Sequence, residues 1–128
     1  VRLNAVHHIA VICTDYERSK RFYLDVLGFT LRSEVHRAER ESWMADLDLH
    51  GRYVLELFSF PSPPQRPTGP EATGLRHLAF EVDDVAAAID ELREAGVHCE
   101  EVRVDPYTGK RMAFFFDPDA QPLELYER

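Results

Sequence analysis

Four residues of this chain have the types and the spacing to hold a divalent cation: His8 in VHHIAVIC, Glu56 in YVLELFSF, His77 in LRHLAFEV and Glu124 in QPLELYER. The histidine-to-glutamate separation is 48 residues in the first half and 47 in the second, so the halves read as copies of one another. Neutral imidazoles and carboxylates are donors that a transition-metal ion accepts together. The expectation is one metal bound by all four.

Taken alone, a histidine in an apolar strand is ordinarily a hydrogen-bonded core side chain. Glutamate between two leucines is harder to explain. Glu56 lies between Leu55 and Leu57, and Glu124 between Leu123 and Leu125. An unpaired carboxylate buried there costs on the order of several kcal/mol. With the leucines facing a core, strand parity turns the glutamates to the opposite face, together with Phe58 and Tyr126. Parity also puts Arg76 on the face away from His77, so no lysine or arginine shares the ligand-bearing face. A doubly charged cation balances the two carboxylates. The mixed nitrogen and oxygen set suits nickel or zinc first, then cobalt, manganese or iron, ahead of calcium or magnesium.

The elements that must position these residues follow from pattern. Residues 5–13 read as a strand apolar on both faces, and so covered on both. Asp15 then caps a helix that Gly28 ends, and three strand-like runs follow: FTLRSEVHR, SWMADLDLH and RYVLELFSF, the last two joined by a His50-Gly51 turn. Residues 61–74 hold five of the eight prolines and read as a linker between a first module (5–60) and a second (75–127), the whole of 1–128 being one domain. After the linker the order repeats: strand 75–82, a helix capped by Asp83 or Asp84 and ended by Gly96, then strand-like VHCEEVRV, KRMAFFFD and QPLELYE. His8 to His77 and Asp15 to Asp84 are offsets of 69, whereas Gly28 to Gly96 and Glu56 to Glu124 are offsets of 68. One residue deleted from the second helix reconciles them.

Composition narrows the partners. A net charge of -8 argues against nucleic acid, whose phosphates need basic stripes, and points to a small-molecule substrate. No apolar run reaches the roughly 20 residues that span a bilayer, and no leader pattern opens the chain, so the expectation is a cytoplasmic protein without a membrane partner. Cys13 and Cys99 read as reduced thiols. Lys110 and Arg111, beside a glycine turn, could hold a substrate carboxylate or phosphate, or form a solvated hairpin tip. Trp43, Phe58, Phe60 and Phe115 could line an apolar cavity, or serve as plain core.

The segments HHIAV, FYLDVLGF, VLELFSF, GLRHLAFEVDD, FFFDPD and PLELYE resemble the vicinal oxygen chelate superfamily (glyoxalase, bleomycin resistance and extradiol dioxygenase proteins), in its glyoxalase I-like, YaeR-like branch. The resemblance covers nearly the whole chain. It implies an α+β fold of two tandem βαβββ modules, whose strands form a curved mixed sheet, a half-barrel, around the metal. It puts the metal ligands on His8, Glu56, His77 and Glu124; His8 is preferred to His7 because it directly precedes an Ile-Ala step, as His77 precedes Leu-Ala. The activity implied is that of a metal-dependent lyase or isomerase of the lactoylglutathione lyase type. Such an enzyme acts on an α-hydroxycarbonyl, hemithioacetal-type substrate through a metal-stabilised ene-diolate. Glu124 or Glu56 would carry the proton, Glu124 by preference. Glutathione-type enzymes carry an arginine four residues after the first ligand, where this chain has Ile12, so the thiol stays open. Two other readings are kept: a drug- or metal-sequestering protein without catalysis, and an Fe(II) extradiol dioxygenase, against which a fourth ligand counts. A homodimer is expected, with each site built within one chain or shared between two.

Overall fold

The computed structural model describes residues 1–128, which form two compact units, Val1–Pro64 and Gln65–Arg128. Their boundary falls within the proline-rich stretch, and no helix or strand occurs between residues 60 and 77. Proline supplies no amide donor and glycine few restraints, so neither ladder nor helix can propagate there.

In the first unit β1 (Ile9–Cys13) leads into α1 (Tyr16–Arg21), then β2 (Thr30–Arg37), β3 (Ser42–Leu49) and β4 (Arg52–Ser59). The sheet order is β1-β4-β3-β2, with β1 parallel to β4 and the other pairs antiparallel. In the second unit β5 (Leu78–Val82) leads into α2 (Val85–Glu94), then β6 (Arg103–Val104), β7 (Arg111–Phe116) and β8 (Pro122–Glu127), in the equivalent order β5-β8-β7-β6. This is the expected α+β arrangement of two βαβββ modules. Each sheet is open, with four mixed strands.

Both helices start on the aspartates expected to cap them. The Asp15 carboxylate accepts from the Arg18 amide and the Asp84 carboxylate from the Ala87 amide, each at 3.1 Å. In α2, Val85, Ile89 and Leu92 recur on one face and are buried as α2 packs on β7 and β8. Ala113, Phe114, Phe115, Leu123 and Leu125 complete the buried apolar set of that unit. In the first unit the counterparts are Tyr23, Leu47, Leu55 and Leu57, all fully buried.

The one-residue offset between the halves has a structural origin. After Arg21 the first helix does not remain α-helical; Phe22–Val26 form a π-helical turn, closed by the Leu27 amide on the Phe22 carbonyl at 3.1 Å. A π turn absorbs one extra residue without changing where the helix starts or stops. Gly28 and Gly96 therefore terminate the two helices alike, at φ 79° and 82°.

Two local expectations are corrected. The first strand begins at Ile9 instead of residue 5, and only one of its faces is covered: Ile12 is 54% exposed while Cys13 is buried. The run 97–104 is a strand only at Arg103–Val104, with an isolated bridge from Cys99 to Phe115. Between them the Arg93 guanidinium takes the Glu100 carbonyl and the Glu101 carboxylate, each at 3.3 Å, diverting a carbonyl that a ladder would have used. The expected His50-Gly51 turn does join β3 to β4, with both residues at positive φ (50° and 76°), the pattern of a type I′ hairpin.

Candidate metal centre

Register brings each histidine to its glutamate. Ala10 pairs with Glu56 across β1 and β4, and Ala79 pairs with Glu124 across β5 and β8. His8 and His77 stand two residues before those alanines, each one residue ahead of its strand. A period of two returns the imidazole to the face that carries the glutamate. His77 Nε2 lies 3.0 Å from Glu124 Oε2, and His8 Nε2 lies 3.7 Å from Glu56 Oε1. The same two-donor device is built twice.

The surroundings of the pairs differ. Glu124 is only 7% exposed, on the face it shares with Phe114, whose ring meets the His77 ring edge-on at 5.0 Å. It makes no other hydrogen bond or ion pair. His77 Nδ1 is buried without a partner, a state that costs about 1–3 kcal/mol. A salt bridge selected for stability alone would not leave that atom orphaned.

Glu56 is held by more groups. The single proton of the Tyr53 hydroxyl is shared between Asp46 Oδ1 at 2.9 Å and Glu56 Oε2 at 3.2 Å, and the Tyr53 ring stacks on His8 at 5.1 Å. Burial first, then the hydrogen bond to Asp46 and the two carboxylate charges, hold the Tyr53 phenol above its ordinary value, so it stays a donor at neutral and alkaline pH. His8 Nδ1 lies 2.8 Å from His7 Nδ1, which orients the ring with Nε2 toward Glu56. Neither Tyr53 nor Asp46 is evident from pattern. Tyr53 is an odd number of residues from Glu56 and should face away, but a register shift between Leu47 and Asp48 disturbs the end of the ladder. Tyr53→Phe is expected to keep the fold and weaken metal binding about tenfold by freeing Glu56; isothermal titration with zinc would measure it.

The donor set fits a divalent cation. Two donors each about 2.1 Å from one ion stand about 3.0 Å apart at a right angle and about 3.4 Å apart at the tetrahedral angle. The His77 pair matches the first value and the His8 pair exceeds the second by a few tenths of an ångström. Within neither unit do three or more His, Cys, Asp or Glu side chains gather for a cation. Each unit by itself brings together one histidine and one glutamate.

The residues expected to touch substrate have separate fates. Phe58 is on the Glu56 face, stacked on Phe60 at 5.8 Å with the Arg37 guanidinium over its ring at 5.1 Å. Trp43 is on the other face: it alternates with Met44, the partner of Phe58, and stacks on Tyr16 of the first helix at 5.1 Å. Phe115 is fully buried core. Arg111 is engaged by Glu127 through its amide at 2.8 Å and its guanidinium at 3.0 Å and 3.2 Å. Lys110 is exposed. A cavity of about 300 Å³ beside His77 is instead lined by Arg66, Arg76 and Arg103 together with Glu71, Glu100 and Phe114, and Arg76 reaches it over the Phe114 ring although parity predicts that it turns away from His77.

Duplicated βαβββ units, each with a His–Glu pair on one face of its own sheet, define a class, and residues 5–125 match the Glyoxalase/Bleomycin resistance protein/Dioxygenase superfamily, to which the chain belongs. Proteins of this vicinal oxygen chelate superfamily commonly bind a divalent metal. The chain is 64% identical over 126 residues to the uncharacterized protein YaeR of Escherichia coli K12, covering 98% of each. The crystal structure of SMU.1112c superposes with a TM-score of 0.91 at 49% identity, over 98% of this chain and 100% of that one. Among more distant relatives, a 2-epi-5-epi-valiolone epimerase from an Actinomyces species is 31% identical over 94% of this chain and 78% of its own. The trypanothione-dependent glyoxalase I of Leishmania major is 25% identical (TM-score 0.75; 98% and 87% covered). TnmS3, an antibiotic binding protein from a Streptomyces species, is 26% identical (TM-score 0.74; 99% and 98% covered). No helix of the chain is long and apolar enough to cross a membrane.

Proposed function

We propose that this protein is a metal-dependent enzyme of the glyoxalase I type, moving a proton beside the carbonyl of an α-hydroxycarbonyl, hemithioacetal-type substrate. The observation that carries this reading is the duplicated His–Glu pair, two donors from each unit with spacings of 3.0 Å and 3.7 Å. His8, Glu56, His77 and Glu124 would hold one cation, nickel or zinc first, in a site formed by a first and a second unit of one chain or of a homodimer. When bound, such a cation supplies Lewis-acid polarisation of the substrate oxygens.

The two glutamates have different roles. Tyr53 pins Glu56 on the oxygen that does not face His8, so Glu56 is the fixed ligand. Glu124 bonds only toward His77, so it is free to change partners and to accept a proton from carbon. Glu124 is the proton carrier. It takes the proton from the carbon beside the carbonyl and returns it to the neighbouring carbon, while the surrounding apolar rings exclude water. Glyoxalase I and a carbonyl epimerase share the first half of that cycle, which accords with the distant likeness to both. Lys110 and Phe58 stand as peripheral substrate contacts; Trp43 and Arg111 would need to leave their present partners to join them.

The test is to load the protein with nickel, zinc, cobalt or manganese and follow thioester formation from methylglyoxal with several thiols. Turnover in one combination is expected. No turnover in any, at stoichiometric metal, would sink the reading. The likeness to TnmS3 favours a second reading, sequestration of a drug-like molecule, whose signature is tight binding with no turnover.

A further inference from the structure

We infer that the cavity beside His77 is an anion site, and that the substrate carries a carboxylate or phosphate which Arg66 receives. The word substrate rests on the enzymatic reading above; the binding of an anion does not.

Arg66 lies in the proline-rich stretch, half-buried, and its guanidinium bonds only to neutral oxygens: Thr68 Oγ1 at 3.1 Å and the Gln121 side-chain carbonyl. Its charge is therefore uncompensated, although fifty-five residues of sequence separate it from the glutamine that orients it. Two further guanidiniums border the same cavity. Arg76 and Arg103 each lie 5.5 Å from the centre of the Phe114 ring, and that ring also meets His77. Stacking restrains long side chains that would otherwise sample many rotamers, so their charge is already in place when a ligand arrives. Their carboxylate partners hold them loosely. Arg76 to Glu71 is 3.8 Å and Arg103 to Glu100 is 3.6 Å, between exposed side chains, a kind of pair worth little in water and readily exchanged for a ligand.

The cavity thus has an aromatic floor of Phe114 and Phe116, a rim in which Arg76 and Arg103 face Glu71 and Glu100 while Arg66 faces no carboxylate, and His77 in its wall. A volume of about 300 Å³ is at the small end of ligand pockets, right for a compact metabolite. A planar guanidinium fork reads the two oxygens of a carboxylate or phosphate together, which a lysine cannot do. Against Glu71 and Glu100 the three arginines leave the lining with one net positive charge in a chain of net charge -8, and that charge is the one on Arg66.

The experiment uses the full chain, metal-free and ¹⁵N-labelled, and follows the arginine Nε–H resonances during titration with sodium phosphate and, separately, sodium glycolate at ionic strength held constant with sodium chloride. The expected result is a saturable shift of the Arg66 signal, with Arg66→Gln raising the Kd at least tenfold and Arg66→Lys less. Whichever anion saturates at the lower concentration identifies the group the substrate carries. A shift that stays linear for both anions, or a Kd in Arg66→Gln within twofold of the parent, would overturn the inference. Zinc titration of the same samples keeps the two readings apart: zinc bound without anion binding leaves the metal site standing, and anion bound without zinc binding does the reverse.

Discussion

Glu124→Gln is expected to lower turnover by about a thousandfold, roughly 4 kcal/mol of transition-state stabilisation, while Glu56→Gln should cost at least tenfold less in kcat. Both substitutions keep the side chain's shape and remove one negative charge. They differ because the two carboxylates are held differently: Glu56 accepts from Tyr53 on one oxygen and faces His8 on the other, so its work is to hold. Glu124, enclosed and bonded toward His77 alone, is free to change partners during the reaction. Single-turnover kinetics on metal-loaded variants would separate the chemical step from binding. Equal losses in kcat would show that the two glutamates are interchangeable and that no single proton carrier exists.

The second large effect concerns stability. If His8, Glu56, His77 and Glu124 share one ion, that ion joins two compact units whose connecting stretch has no helix or strand. A ligand bound only by the folded state stabilises by the logarithm of its excess over Kd, about 4 kcal/mol at a thousandfold excess. Zinc at that concentration is therefore expected to shift the urea midpoint upward in the parent and to leave His77→Ala close to its metal-free midpoint. Removing His77 deletes the orphaned Nδ1 but also leaves the buried Glu124 carboxylate without its one partner, so the metal-free variant is expected to have a lower urea midpoint than the metal-free parent. An equal zinc-induced shift in both proteins would separate stability from this site.

The pairing of each histidine with its glutamate was legible because the chain carries it twice. The matched offsets of His8 with His77 and Glu56 with Glu124, together with strand parity, placed each imidazole on the face of its carboxylate, and the register of Ala10 with Glu56 and Ala79 with Glu124 explains why parity sufficed. Even the one-residue mismatch was informative, for it marks the π turn at Phe22–Val26. What stayed hidden depends on departures from regular periods. Tyr53 reaches Glu56 near a register shift, Arg93 interrupts the run before β6, and Arg66 sits in a segment whose prolines announce only the absence of a helix or strand. Arginine's attraction to an aromatic face likewise leaves no periodic trace, so Arg76 and Arg103 converge on Phe114 without a sequence signal. Lys110 and Arg111 had such a signal, a basic pair at a turn, yet Arg111 is committed to Glu127.

The central claim is that four residues from two units bind one ion, and metal content per chain tests it most directly. After loading with zinc and removal of free ion, elemental analysis should give one equivalent per chain for the parent and a large, similar loss in each of His8→Ala and Glu124→Ala, although these residues belong to different units. Two equivalents per chain in the parent, or full retention in both variants, would contradict it.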